Sequence, residues 1–296
     1  MNGRRCSEKF MSADVIPPKP PFDARAVASF LCTRGFVVID GFLGSTSAAA
    51  AVRTGIAQLD DNGMMRLGKI QHGTNQDTAN SSRSDRIAFL PPVDRPATTT
   101  TKVPKGAAHG SDTLAPEECS AALHAYIKVA DGLRTQLSAQ DNLVERVGGV
   151  LDGCNIMCAV YPGGGARYVK HRDALPYKAG RKLTVIYYLN DQWEPGHGGE
   201  LRIWPSDEAD EEPVTIEPVA DRLLIFISSL EHEVLPAWRP RYALTTWMFN
   251  KRDTAMEALA EDIRVRKEAG RLDTKALLKM LEEMSSDDDD EDKAAK

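Results

Sequence analysis

Between positions 155 and 249 the chain passes through short apolar segments at 155–161, 167–172, 182–189, 200–204, 214–217, 222–227, 233–236 and 242–249. Turns rich in Gly, Pro and Asp separate them, and no helical stretch lies between. A parallel sheet built from βαβ units needs helical crossovers, so this pattern argues against one. It points to a sandwich, barrel or jelly roll.

The rest of the chain reads differently. Residues 1–23 are polar and Pro-rich and read as a tail or a wrap. Positions 24–33 have helical periodicity, and Phe36-Val37-Val38-Ile39 reads as a strand stopped by Asp40-Gly41. The Ala-rich stretch 45–59 predicts a helix capped by Ser45 or Thr46. Residues 87–90 suit a strand stopped by Pro91-Pro92, and 98–105 read as a long loop. Helix is expected over 116–138, with Pro116 near its first position. It is expected again over 253–284, with Asp253 as cap and a break at Ala269-Gly270. The acidic run from Asp287 reads as part of a disordered tail, 285–296.

With 42% hydrophobic residues among 296, the chain can bury a real core. The formal charge of -6 comes largely from the acidic run, and no broad basic stripe with interleaved aromatics argues for nucleic acid. Five cysteines make no disulfide framework and suit a reducing compartment, so cytoplasm, and also nucleus, is the expected location. No apolar run is long enough for a membrane span, and the first thirty residues lack the pattern of a secretory signal. Without a coiled-coil repeat, a monomer is expected.

The sharpest chemistry lies in Tyr168-Val169-Lys170-His171-Arg172-Asp173. On a strand His171 and Asp173 share one face, with Arg172 opposite. An imidazole and a carboxylate on one face can bind a cation, and His232, at the exit of a later strand, can complete the set. Two histidines and one carboxylate leave three positions open, the facial triad of non-haem Fe(II) oxygenases.

Arg241 heads an alternating row with Ala243, Thr245 and Trp247. If that row points inward, a buried guanidinium needs a carboxylate, supplied by the protein or by a ligand. Tyr188 can add a phenol donor to the same group. An internal salt bridge for Arg241 and ordinary packing for Tyr188 stay open at this point.

These residues carry a resemblance. Tyr161-Pro-Gly-Gly-Gly-Ala-Arg-Tyr-Val-Lys-His-Arg-Asp173, Tyr187-Tyr-Leu-Asn190, Gly198-Gly-Glu-Leu-Arg-Ile-Trp-Pro205, His232-Glu-Val234 and Arg241-Tyr-Ala243 resemble the hypoxia-sensing type of prolyl 4-hydroxylase. That family belongs to the 2-oxoglutarate- and Fe(II)-dependent oxygenases. The resemblance implies a mainly β fold with flanking helices around a double-stranded β-helix (jelly roll, cupin-like) core. That core would lie at about 150–250, with helical support at 24–140, inside a catalytic domain at 24–252.

It also implies Fe(II), 2-oxoglutarate and dioxygen, with ascorbate as supporting reductant, and a protein substrate carrying a target proline. His171, Asp173 and His232 would bind iron. Arg241 and Tyr188 would hold the distal carboxylate of 2-oxoglutarate, with Tyr161 beside the cosubstrate. Met157, Tyr168, Val234 and Trp247 would line the pocket, Arg181 would stand at its mouth, and Arg83-Ser84-Asp85 would begin a mobile loop. The chain departs from the animal pattern in Ala174-Leu175-Pro176 after the metal motif, in one residue added before Arg181, and in a longer segment after Phe89. Lys170, Arg172, Lys178, Arg181 and Lys182 suggest either a solvated face or steering of an acidic partner.

Overall fold

The computed structural model describes residues 15–16, 22–68, 82–92, 113–175, 180–206 and 212–270. The acidic run, the second C-terminal helical piece and the 98–105 loop lie outside the described residues.

The N-terminal half holds β1 (Val15–Ile16), α1 (Ala24–Arg34), β2 (Phe36–Asp40), α2 (Thr46–Asp61), β3 (Arg66–Leu67) and β4 (Arg86–Phe89). A 3-10 turn (Pro116–Glu118), α3 (Ala121–Ser138) and α4 (Asp141–Val147) follow. Then come β5 (Gly153–Tyr161), β6 (Ala166–His171), β7 (Arg181–Tyr188), β8 (Leu201–Trp204), β9 (Val214–Ile216), β10 (Arg222–Ile227), β11 (Glu231–Ala237) and β12 (Arg241–Phe249), closed by α5 (Lys251–Glu268).

Local chemistry sets several of these limits. Asp23 caps α1 by accepting the Ala26 N–H, and Gly35 ends it in the left-handed conformation. Ser45 and Ser120 cap α2 and α3 in the same way. The expected helix at 116 is therefore two pieces: a 3-10 turn on Pro116, then α3 starting after Ser120. On α3 the residues Leu123, Tyr126, Ile127, Ala130, Leu133 and Leu137 form one buried stripe.

The strands form two sheets. The larger has the order β1-β2-β10-β7-β12-β5-β4-β3, antiparallel except for β1 with β2, and the smaller has the order β6-β11-β8-β9. The larger sheet is buried on both faces. Leu223, Ile225, Leu244 and Ile156 on one face pack against the helices, while Phe36, Ile186, Leu224 and Ala243 on the other meet Leu201, Ile203 and Ile216 of the smaller sheet. This is why β7, β10 and β12 read as unbroken apolar runs, whereas β8 and β11 alternate between buried and exposed positions.

The expectation of a mainly β chain is corrected. Among the described residues the helices hold slightly more residues than the strands, because the N-terminal half supplies a helical layer that covers one face of the larger sheet. The two sheets stack with different strand orders, and among the described residues no closed barrel is seen. The architecture is a mixed α/β fold with two sheets. Val15–Ile16 pair with β2, so at that point the N-terminal segment wraps along the sheet edge. Among the described residues no helix is long and apolar enough to cross a membrane.

Candidate metal centre and cosubstrate pocket

The site lies between the sheets. β6 and β11 of the smaller sheet bring His171 and His232 directly opposite each other. Asp173 joins them, but not by strand alternation. β6 ends at His171, and the chain turns so that the N–H groups of Asp173 and Ala174 both donate to Ser228 O. The three side chains still converge, with one ligand atom from each within 4.8 Å of the others. His171 Nε2 is 3.8 Å from Asp173 Oδ1, and His232 Nε2 is 3.6 Å from Asp173 Oδ2.

Each imidazole is fixed by its own chain. His171 Nδ1–H donates to Val169 O at 2.8 Å, and His232 Nδ1–H donates to Leu230 O at 3.0 Å. That assignment leaves both Nε2 lone pairs facing the carboxylate, the arrangement a metal requires. Burial, with His232 adding to it, pulls His171 down to about 3, so its ring is neutral and able to ligate. Burial pushes against ionisation of Asp173, yet His232, His171 and Arg181 outweigh it and hold the carboxyl at about 2. Two imidazole nitrogens and one carboxylate oxygen suit Fe(II) with open positions. Tyr168 stacks on His171 at 3.7 Å, and Phe226 meets His232 edge-on at 4.7 Å.

The larger sheet supplies the second half of the site. Arg241 faces Tyr161 across the β12–β5 pair, and its guanidinium lies 4.8 Å from the Tyr161 ring and 5.1 Å from the Tyr188 ring. It is only 2% exposed. Its Nε donates to Gly199 O at 2.8 Å, a peptide oxygen rather than a carboxylate. Among the described residues Arg241 Nη2 and Tyr188 Oη have no hydrogen-bond partner. Two orphaned buried donors side by side are costly unless a ligand accepts from both. Burial pushes Tyr188 up to about 12, only partly offset by the Arg241 charge, so the phenol keeps its proton to donate. A carboxylate fits this pair, and among the described residues no side-chain carboxylate forms a salt bridge with Arg241.

Met157, Val234, Tyr161 and Trp247 share a buried cluster with Ile87 and Phe89 beside the metal residues. Trp247 Nε1 has no partner among the described residues. Arg181 lies 4.2 Å above the Trp247 ring. Arg83 and Asp85 form a buried bidentate pair, at 2.5 and 2.8 Å, with Arg83 over Tyr168 at 4.7 Å and its Nη2 3.5 Å from Met157 Sδ. The basic group around the metal strand is engaged as well. Lys170 and Arg172 reach Glu231, and Lys182 is buried against Asp253 and Gly148 O. Lys178 lies outside the described residues. Among the described residues no disulfide joins Cys32, Cys119, Cys154 and Cys158.

Three residues at the site were not singled out from the sequence. Thr184 and Ser228 are buried beside Asp173, and Gly199 carries the carbonyl that holds Arg241. Alternation along β7 carried the signal for Thr184, which shares the inward face with Ile186 and Tyr188.

A profile of the 2OG-Fe(II) oxygenase superfamily matches residues 156–249. The chain is 32% identical over 234 residues to the hypoxia-inducible factor prolyl hydroxylase of Caenorhabditis elegans, covering 75% of this chain and 28% of that protein. It is 32% identical over 230 residues to the mouse prolyl hydroxylase EGLN3, covering 75% of this chain and 81% of that protein. The chain thus spans under a third of the worm relative and four-fifths of the mouse one. Among solved structures, a Trichoplax adhaerens prolyl hydroxylase in complex with a hypoxia inducible factor oxygen degradation domain peptide fragment is 29% identical. Its TM-score is 0.60, with 79% of this chain and 91% of that one covered. The smaller sheet and the turn after β6 thus carry a His-Asp-His centre inside the region matched by the profile, and the chain belongs to the hypoxia-inducible factor prolyl hydroxylase family of 2OG-Fe(II) oxygenases.

Proposed function

We propose that this chain is a 2-oxoglutarate- and Fe(II)-dependent prolyl 4-hydroxylase acting on a proline in an intracellular protein, in cytoplasm or nucleus. The observation that carries the reading is the pair of orphaned donors, Arg241 Nη2 and Tyr188 Oη, in the same interior as the His171–Asp173–His232 cluster. A metal site alone suits many reactions. A metal site with a buried carboxylate clamp suits a dicarboxylate cosubstrate. The family supports 2-oxoglutarate, and the peptide held by the Trichoplax relative supports a proline-bearing segment as substrate.

When bound, Fe(II) with 2-oxoglutarate and dioxygen supplies the oxidising power that turns a prolyl C–H into an alcohol, with succinate and carbon dioxide as coproducts. This chain's residues do the holding. His171, Asp173 and His232 present two nitrogens and one oxygen while both Nδ1 protons stay on backbone carbonyls. Arg241 and Tyr188 take the distal carboxylate and so fix the length of the cosubstrate. Tyr161, Met157, Val234 and Trp247 exclude water from the interior. Tyr168 backs the His171 ring, with the Arg83–Asp85 pair behind it. Arg181 is read as a substrate-positioning cation at the mouth.

Residues 24–252 are read as one catalytic unit of double-stranded β-helix type acting as a monomer, with 253–284 as a C-terminal helical extension and 1–23 and 285–296 as tails. The test is a peptide-library assay with Fe(II), 2-oxoglutarate and oxygen, read by mass spectrometry. One oxygen added to a proline is the expected product. Succinate release with oxygen on another residue would overturn the prolyl assignment.

A further inference from the structure

Asp173 is the ligand that the sheet does not hold. It sits two residues past the end of β6, where no cross-strand pairing fixes its side chain. Its backbone is tied to Ser228 O by two N–H groups, and Ser228 N–H in turn donates to Lys182 O at 3.0 Å. Its carboxylate is tied separately. Thr184 Oγ1 donates to Asp173 Oδ2 at 2.8 Å and lies 2.9 Å from Ser228 Oγ. Both hydroxyl residues are fully buried.

Proton counting fixes the direction of this chain of bonds. A carboxylate only accepts, so the single Thr184 hydroxyl proton points at Asp173. Thr184 Oγ1 then has only lone pairs for Ser228, and the Ser228 hydroxyl must donate to it. The relay runs one way: Ser228 O–H to Thr184 Oγ1, and Thr184 O–H to Asp173 Oδ2. We infer that Thr184, oriented by Ser228, is the positioning residue that holds the Asp173 carboxylate towards the two histidine Nε2 atoms and so sets the metal affinity of the site.

Two features favour a role beyond packing. A buried threonine on an apolar strand costs free energy unless its hydroxyl is used, and here the use is aimed at the one ligand that lacks strand support. Outer partners of metal ligands orient them, and their loss lowers metal affinity. Valine has nearly the shape of threonine, so replacing Thr184 removes the hydroxyl with little change in volume.

This inference rests on the metal-binding reading of His171, Asp173 and His232. The test therefore measures metal binding directly, with Co(II) alone titrated into the metal-free 296-residue chain and followed by visible absorption. Thr184→Val is expected to raise the Co(II) dissociation constant about 10- to 100-fold. Thr184→Ser, which keeps the hydroxyl, is expected to restore affinity close to wild type. Ser228→Ala frees the threonine hydroxyl to rotate and is expected to weaken binding on the order of fivefold. Far-UV circular dichroism and thermal melts confirm that each variant is folded, and Ser228→Ala decides the question if Thr184→Val is not. Wild-type affinity in both Thr184→Val and Ser228→Ala overturns the relay while leaving the metal site intact. Absence of Co(II) binding in the wild type overturns the metal site, and the relay with it.

Discussion

His171 and His232 are cross-strand partners, directly opposite on β6 and β11, with ring centroids 4.2 Å apart. Their meeting is a consequence of register. A one-residue slip between these strands would send one ring to the other face of the sheet. The pair is therefore made by folding and does not wait for the metal.

Metal should stabilise the folded chain through this pair. At a Mn(II) concentration of 100 times the dissociation constant, the wild-type melting temperature should rise by about 5–10 °C. His171→Ala and Asp173→Ala should lose that rise and release no succinate above background. Calorimetric scans with and without Mn(II) check the first point. A full thermal response in either variant would remove that residue from the ligand set.

Arg241 is the group whose loss should separate cosubstrate binding from metal binding. Arg241→Lys keeps the charge but not the planar fork that serves a carboxylate. The 2-oxoglutarate concentration for half-maximal succinate release should rise by about 10- to 100-fold, the worth of a charge-assisted hydrogen bond. Tyr188→Phe should raise it less, on the order of fivefold. Mn(II) affinity measured without 2-oxoglutarate should stay unchanged in both. Parallel weakening of metal and cosubstrate would place Arg241 in the metal site instead.

How much of this was legible in the sequence depended on whether a residue's role is local. The strands of the β-rich half were readable because burial on both faces makes β7, β10 and β12 apolar along their length. Arg241 was readable as an inward cation because it begins such a strand. The side-chain alternation invoked for Asp173 failed, since β6 stops at His171 and long-range bonds to Ser228 place the ligand. The cap of α5 is Asn250 rather than Asp253, because β12 runs directly into the helix. Helix α4, seven residues ending at Gly148, is too short to leave a periodic signal. The burial of Arg83, Asp85 and Lys182 was invisible for a common reason: a charged residue reads as surface until the fold supplies its partner.

Arg83 and Asp85 make a prediction about stability. Removing one member leaves the other charge buried and unpaired, at a cost of about 3–5 kcal/mol. Arg83→Met or Asp85→Leu alone should therefore lower the melting temperature by on the order of 10 °C. The double variant should recover most of the loss, since two apolar side chains need no partner. Additive losses would show that each residue has another role, such as the backing Arg83 gives Tyr168.

Lys182 and Asp253 connect the last helix to β7. Lys182 Nζ lies 2.7 Å from Asp253 and 3.1 Å from Gly148 O, and it is buried while Asp253 is partly exposed. The same turn of α5 touches the chain just before Arg181: Gly180 N–H donates to Glu257 Oε1 at 2.5 Å, and Gly180 O accepts from Asn250 N–H. A methyl group on Gly180 would lie 2.6 Å from Thr254 Oγ1, so helix and strand approach too closely there for a side chain. No residue of α5 is buried, so this first turn is its main attachment. Asp253→Asn should therefore speed amide hydrogen exchange along α5 by about 10-fold, as expected for losing one charge-assisted bond. Exchange in β12 and Mn(II) affinity should not change, because neither the sheet nor the triad uses Asp253. Unaltered exchange in α5 would mean that the helix is held by contacts other than this pair.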